Sequence, residues 1–157
     1  MRRSLAAVAL AAALALAGCG SGSEDETPVA CLEGANAYVA ALADAPTHMK
    51  LSGEVPISDC LVENQKAGDL ARVGTAMLKA ATVLNARARE DPGGTANFEL
   101  GFLVGKATAG AEDTQGIHAE LLRRLESAAR YAPAGERLPA VFLETFQQGF
   151  NAGAERG

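Results

Sequence analysis

Aromatic residues and histidines are scarce in this sequence. Tryptophan is absent, and the five Phe and two Tyr amount to only 4% of the 157 residues. Only two histidines are present. Any folded core must therefore be built mainly from aliphatic and alanine side chains, and little imidazole is available for metal binding or acid–base catalysis.

Positive charge is also in short supply. The chain has 14 basic and 19 acidic residues, which gives a net charge of −5. Loss of residues 1–18 would remove Arg2 and Arg3 and take the net charge from −5 to −7. Proteins bind nucleic acids and anionic lipid surfaces through patches of basic residues. Because this chain is net acidic, we expect no nucleic-acid partner.

Long apolar runs are absent after residue 18, and the run before it is short. Uncharged residues fill positions 5–17, directly after Arg2 and Arg3. As a helix this run would span about 20 Å, whereas the hydrocarbon layer of a bilayer is about 30 Å thick. A basic start followed by a short apolar run is typical of an export signal, and no membrane-spanning segment is predicted.

The apolar run ends in Leu16-Ala17-Gly18-Cys19, which resembles the lipobox of bacterial lipoproteins. The resemblance implies that Cys19 carries a diacylglycerol and becomes the first residue of the mature chain. Residues 19–27 are rich in Gly, Ser and acidic side chains, which favours a flexible tether. We therefore predict a signal peptide at 1–18, a tether at 19–27 and one domain at 28–157. The alternative is an ordinary secretory signal with an incidental cysteine.

Two of the three cysteines remain once Cys19 is assigned to lipid. An even number of cysteines in an exported domain indicates disulfide bonding, because the compartment is oxidising. We therefore predict a Cys31–Cys60 bridge. The alternative is two free buried thiols. Two cysteines without a neighbouring histidine make a poor metal site, and no metal is expected.

The sequence of the domain predicts helices separated by Gly and Pro. Apolar residues at three- and four-residue spacing predict helices at about 29–44, 59–90, 95–112, 115–131 and 139–154, capped by Thr27, Ser58 and Thr95 in the first three cases. No alternating strand pattern is present. We therefore predict an all-α fold: a five-helix bundle whose N-terminal helix is tied by the disulfide.

An internal repeat is the most specific feature of the domain. The pattern FxxGFxxG occurs at 98–105 and again at 146–153, so residues 66–112 and 115–157 are predicted to be two copies of one helical hairpin. The residues concerned are Phe98, Gly101, Phe102, Gly105, Phe146, Gly149, Phe150 and Gly153. Since Gly in a helix interior costs about 1 kcal/mol relative to Ala, close packing of the third and fifth helices is the expected reason. The alternative is a groove for a small apolar ligand.

Candidate catalytic residues are few. His118 lies near Glu112 and Asp113, but no metal-ligand or nucleophile spacing accompanies them, so we expect a partly exposed helical histidine. His48 is expected in a solvated loop. Asn85 is expected at a half-exposed flank of the second helix, and the alternative is a buried polar residue that fixes the register of the apolar seam. We predict no catalytic residue, no cofactor and no enzymatic activity.

Two functional hypotheses follow. The first is a non-enzymatic lipoprotein outside the cytoplasm, anchored to the cell membrane or to an outer membrane, with a structural role or an envelope protein partner. The second is a carrier or sensor that binds a small apolar ligand between the hairpins. An open apolar surface would favour the first, and an enclosed pocket lined by Phe and Gly the second.

Overall fold

The computed structural model describes residues 25–155, so the signal peptide, Cys19 and most of the tether lie outside the described residues. The described chain contains five α-helices and three short 3-10 turns, and it has isolated bridges in place of strands. The α-helices are α1 (Ala35–Leu42), α2 (Ala67–Glu90), α3 (Thr95–Ala111), α4 (Ala119–Ala129) and α5 (Ala140–Ala154). The prediction of an all-α fold with five helices is confirmed.

The predicted first helix is broken in the structure. Val29–Leu32 forms a 3-10 turn, and Glu33 and Gly34 are extended before α1 begins at Ala35. Thr27 does not cap this segment: Pro28 occupies the N-cap position, and the Thr27 hydroxyl oxygen accepts a hydrogen bond from Gln65. The prediction of one continuous helix from 29 to 44 is therefore wrong.

The second predicted helix begins later than expected. Ile57–Cys60 is a separate 3-10 turn, and α2 starts at Ala67. The intervening backbone is paired with the N-terminal segment: Asp25 N–H donates to the Asn64 carbonyl, and Asn64 N–H donates to the Asp25 carboxylate. Since these groups serve a long-range contact, residues 61–66 do not continue the helix.

The fourth helix is also shorter than predicted. Gln115 and Gly116 have φ angles of +54° and +82°, which an α-helix does not accommodate. Consequently α4 begins at Ala119, and Ile117 is exposed in the preceding turn instead of lying on the buried face. The third and fifth helices match their predicted ranges to within a residue. None of the three predicted caps makes a side-chain capping hydrogen bond.

The predicted disulfide is present and ties the N-terminal part of the domain to itself. Cys31 and Cys60 are bonded, with 5.4 Å between their Cα atoms, and both are fully buried. Each lies in a 3-10 turn. Beside them Tyr38 of α1 is buried and donates a hydrogen bond to the Cys31 carbonyl at 2.8 Å.

The core is aliphatic, rich in alanine and completed by phenylalanine rings. The helices α2 and α3, which pack against each other, contribute most of it, while α5 packs mainly on α3 and α4 packs on α2 and α3. The two predicted copies differ, because α2 has 24 residues and packs on α3, whereas α4 has 11 residues and packs on α2 and α3 instead of on α5. Among the described residues no helix is both long enough and apolar enough to span a membrane.

Candidate functional site

The repeated glycines lie where α3 and α5 meet. A Cβ atom on Gly101 would overlap the Phe146 carbonyl oxygen and lie 2.8 Å from the Phe150 nitrogen. A Cβ atom on Gly149 would overlap the Phe98 carbonyl oxygen and lie 2.8 Å from its carbonyl carbon. The two contacts are reciprocal, since each glycine meets the backbone at the first Phe of the other copy.

The second glycine of each motif repeats the contact one turn further on. A Cβ atom on Gly105 would overlap the Phe150 carbonyl oxygen and lie 2.8 Å from the Ala154 nitrogen. Gly153 faces the Phe102 carbonyl in the same manner. Contacts that advance together along both helices mean that α3 and α5 run in the same direction. The glycine faces are thus filled by backbone, and a ligand could enter only by separating the helices.

Phenylalanines surround this crossing. Phe102, Phe142 and Phe146 are buried, whereas Phe98 and Phe150 are half-buried. The rings of Phe98 and Phe102 are stacked with centroids 6.3 Å apart, and those of Phe142 and Phe146 are 6.5 Å apart. The rings therefore complete the core on either side of the glycines.

His118 differs from expectation, because it is fully buried at the N-terminus of α4. Its Nδ1 lies 2.9 Å from the Thr114 hydroxyl and its Nε2 lies 2.8 Å from the Gln65 side-chain oxygen. The prediction of a partly exposed histidine is wrong. Its burial depends on Gln65, which is 53 positions away in the sequence, so helical periodicity could not reveal it.

The hydrogen bonds of Gln65 fix the tautomer of His118. The Gln65 side-chain nitrogen donates to the Cys60 carbonyl and to the Thr27 hydroxyl, both at 2.9 Å. Since the Cys60 carbonyl can only accept, the Gln65 oxygen must face His118. Nε2 therefore carries a proton, and the single hydrogen of the Thr114 hydroxyl has two acceptors within reach, His118 Nδ1 and the Ala111 carbonyl.

A second proton on His118 would lie on Nδ1, which faces Thr114 and not Gln65. It would allow the ring to donate to Thr114, whose hydroxyl also lies 2.7 Å from the Ala111 carbonyl. A hydrogen bond to a charged group contributes about 1.5–3 kcal/mol, whereas burying an unpaired ion costs several kcal/mol. Burial therefore dominates and lowers the pKa of His118 below its ordinary 6.5. His118 is a neutral structural link at pH 7.

A groove runs along the outer side of α2 and α4. It consists of two adjoining hollows of about 430 and 340 Å³ that share Leu78 and Arg124. Exposed apolar side chains stand at its two ends, where Ile117 is 42% and Tyr131 is 61% exposed. Its apolar wall comes mainly from Leu70, Ala71, Gly74, Leu78, Leu121 and Ala128.

Two arginines border this groove within an otherwise acidic chain. Arg123 forms an exposed ion pair with Glu120 at 2.7 Å. Arg124 has no hydrogen bond or ion pair within residues 25–155, and it lines both hollows. Asn85, expected to be half-exposed, is buried beneath the groove and donates to the Ala129 carbonyl at 2.7 Å.

No metal centre is built by the described part of the chain, in which no three His, Cys, Asp or Glu side chains are grouped suitably for a metal ion. His48 is exposed in the loop after α1. The hydrogen bonds of His118 to Thr114 and Gln65 are described above. Searches for a matching protein family, curated protein or solved structure found none.

Proposed function

We propose that this chain is a lipid-anchored lipoprotein outside the cytoplasm, and that its helical domain binds a protein partner without catalysing a reaction. The observation that carries the proposal is the open groove between α2 and α4, which is mainly apolar at the Ile117 end and of mixed polarity at the Tyr131 end, with both of these side chains exposed. Contiguous exposed apolar surface bordered by polar residues marks interaction sites on soluble domains. The closed glycine crossing counts against a carrier that holds its ligand between the hairpins.

The shape and charge of the groove favour an amphipathic helix as the occupant. The helix α4 has 11 residues, so the groove beside it extends for about 16 Å, or three helical turns. A partner helix would place apolar residues at i, i+3 or i+4, and i+7 on the groove floor. Carboxylates at its edge would face Arg124, whose guanidinium has no partner in residues 25–155. We therefore propose an acidic amphipathic helix of an envelope protein.

The anchor would hold the domain close to the membrane. Cys19 is the proposed lipid site, and the chain is fixed to the domain from Asp25 through its bonds to Asn64. The six residues from 19 to 24 can span at most about 20 Å when extended. The groove would accordingly meet partners at the membrane surface and not deep in the surrounding compartment.

Site-specific photocrosslinking in cells tests the groove. A photoreactive residue is placed at Ile117 or Tyr131, and matched controls carry it at Val141 or Leu143, which are equally apolar and each 46% exposed but lie on α5. We expect one envelope protein to be crosslinked from the groove positions alone, through a peptide with the apolar spacing and carboxylates described above.

Charge reversal provides the second control. Arg124→Glu should reduce the crosslinked product at least tenfold, whereas Arg137→Glu, exposed in the loop before α5, should leave it unchanged. Equal crosslinking from α5, persistence in Arg124→Glu, or crosslinks only to a second copy of this chain would each contradict an acidic helical partner.

A further inference from the structure

The two hollows of the groove between α2 and α4 differ in chemistry. The hollow of about 430 Å³ at the Tyr131 end, which we call the polar hollow, is lined among others by Asn85, Arg123, Arg124 and Ser127. No acidic side chain of the described residues lines it, although the chain carries a net charge of −5. Two guanidinium groups in a hollow without a carboxylate favour an anionic ligand.

Arg124 is the cation that remains available in the polar hollow. Arg123 is engaged by Glu120 through hydrogen bonds of 2.7–3.0 Å, whereas Arg124 has no hydrogen bond or ion pair within residues 25–155. The Ser127 hydroxyl has no hydrogen bond in that range either, and it lies on the same helix face, three positions after Arg124. A guanidinium binds a carboxylate through two parallel N–H···O bonds, and a neighbouring hydroxyl can donate a third.

The floor of the polar hollow supplies an acceptor that lacks a donor. Asn85 is only 3% exposed, and its Nδ2 donates to the Ala129 carbonyl at 2.7 Å, so the amide cannot be turned round. Its Oδ1 accepts no hydrogen bond within residues 25–155. In that range the one partnerless side-chain N or O atom sealed from solvent is Oδ1 of Asn97, so Oδ1 of Asn85 opens into the hollow that Asn85 lines. Since a buried oxygen without a donor costs free energy, the site favours a ligand that brings an N–H group.

A carboxylate and a free N–H group occur together at the C-terminal residue of a peptide chain. Inside a helix the backbone N–H groups are bonded to carbonyls one turn earlier, so an acidic side chain there brings a carboxylate but no free donor. Free N–H groups also occur in the first helical turn, but that end of the helix dipole is positive and is repelled by Arg123 and Arg124. The last residue of a chain, beyond the final turn, supplies both groups and places the negative end of the helix beside the arginines.

We propose that the polar hollow binds the C-terminal residue of a peptide chain, with its carboxylate on Arg124 and Ser127 and its amide N–H on Oδ1 of Asn85. The polar hollow joins the second hollow, of about 340 Å³, at Leu78 and Arg124, and the residues before the terminal one continue there towards Ile117. This orientation of a helical partner rests on the proposed function, whereas recognition of the terminal residue is tested without the partner.

Three synthetic probes separate the contacts of the terminal residue. They are acetyl-Leu-Ala with a free C-terminal carboxylate, the same dipeptide with a C-terminal amide, and an ester analogue in which oxygen replaces the N–H of the last residue. Binding to the exported chain in lipid nanodiscs is measured by NMR titration of the Asn85 side-chain amide and the Tyr131 ring. We expect saturable binding of the free acid and roughly tenfold weaker binding of each other probe, because each lacks one of the two hydrogen-bonding groups.

Two exposed arginines identify the cation that binds the carboxylate. Arg124→Gln should weaken binding of the free acid roughly tenfold and remove its advantage over the amide probe. Arg137→Gln, in the exposed loop before α5, should leave the affinities of all three probes unchanged. Equal binding of the free acid and the amide, equal binding of the ester analogue, an unchanged affinity in Arg124→Gln, or no saturable binding of the free acid would each overturn the proposal.

The photocrosslinks from the groove distinguish a failure of this inference from a failure of the proposed function. Crosslinks from Tyr131 should map to the C-terminal residues of the captured envelope protein, and those from Ile117 to residues nearer its N-terminus. Capture of one protein in the opposite order would retain the proposed function and overturn recognition of the terminal residue. Selective binding of the free acid probe without any captured protein would support recognition of the terminal residue and contradict the proposed protein partner.

Discussion

Replacement of Gly149 by alanine is the most informative change in the core. Alanine is the best helix former, and in an open helix it would stabilise the fold by up to about 1 kcal/mol relative to glycine. At Gly149, however, the new Cβ would overlap the Phe98 carbonyl oxygen and approach the Phe102 nitrogen to 3.0 Å. Both are backbone atoms, so no side-chain rotation relieves the overlap. The helices α3 and α5 must separate.

The net effect can be worked out from these two opposing terms. Overpacking of a core typically costs 1–3 kcal/mol, and a rigid backbone neighbour places Gly149→Ala near the upper value, about 3 kcal/mol. The gain in helix propensity offsets about 1 kcal/mol of this cost. We therefore expect a loss of about 2 kcal/mol in the free energy of unfolding, which lowers Tm by roughly 8 °C for a domain of this size.

Gly68→Ala is the matched control, because Gly68 is exposed near the start of α2 and a Cβ there would meet nothing within 4 Å. Urea unfolding and calorimetry of both variants measure the difference. Gly68→Ala should be neutral or stabilising. If Gly149→Ala behaves in the same way as Gly68→Ala, the helices are not in close backbone contact and the reasoning for the repeated motif is wrong.

Two further changes test other parts of the fold. Replacing Cys31 and Cys60 together by serine removes a bridge across 29 positions, and we expect a loss of about 3–4 kcal/mol in urea unfolding; an unchanged midpoint would contradict this. Asn85→Ala removes the donor to the buried Ala129 carbonyl and should cost about 1–3 kcal/mol. Thr82→Ala, on the exposed side of α2, should change stability by less than about 0.5 kcal/mol, and equal losses in the two variants would refute a specific role for Asn85.

The parts of the fold that the sequence predicted well depend on local patterns. The ranges of α3 and α5 follow from Gly and Pro at their ends and from apolar spacing between them. The glycines at 101 and 149 carried a conformational cost that pointed to close packing, and backbone atoms occupy that position. The Cys31–Cys60 bridge followed from pairing in an oxidising compartment, and it is present.

The parts that were missed depend on contacts between distant residues. Residues 61–66 have helix-compatible composition, but Asn64 pairs with Asp25, 39 positions away. His118 is buried because Gln65 covers it from another segment. The start of α4 was displaced by left-handed residues at Gln115 and Gly116, of which Gln115 carries no local signal for that conformation. The candidate groove also required the relative placement of α2 and α4.

The intact mass of the chain, exported by its host and purified in mild detergent, tests the central claim most directly. The account predicts a polypeptide that begins at Cys19, carries a diacylglycerol on that residue, and is lighter by two hydrogens because Cys31 and Cys60 are bonded. Under native conditions no further small molecule should remain bound. An unmodified Cys19 would contradict the lipid anchor. A retained apolar molecule of a few hundred daltons would contradict the partner-binding function and indicate a carrier instead.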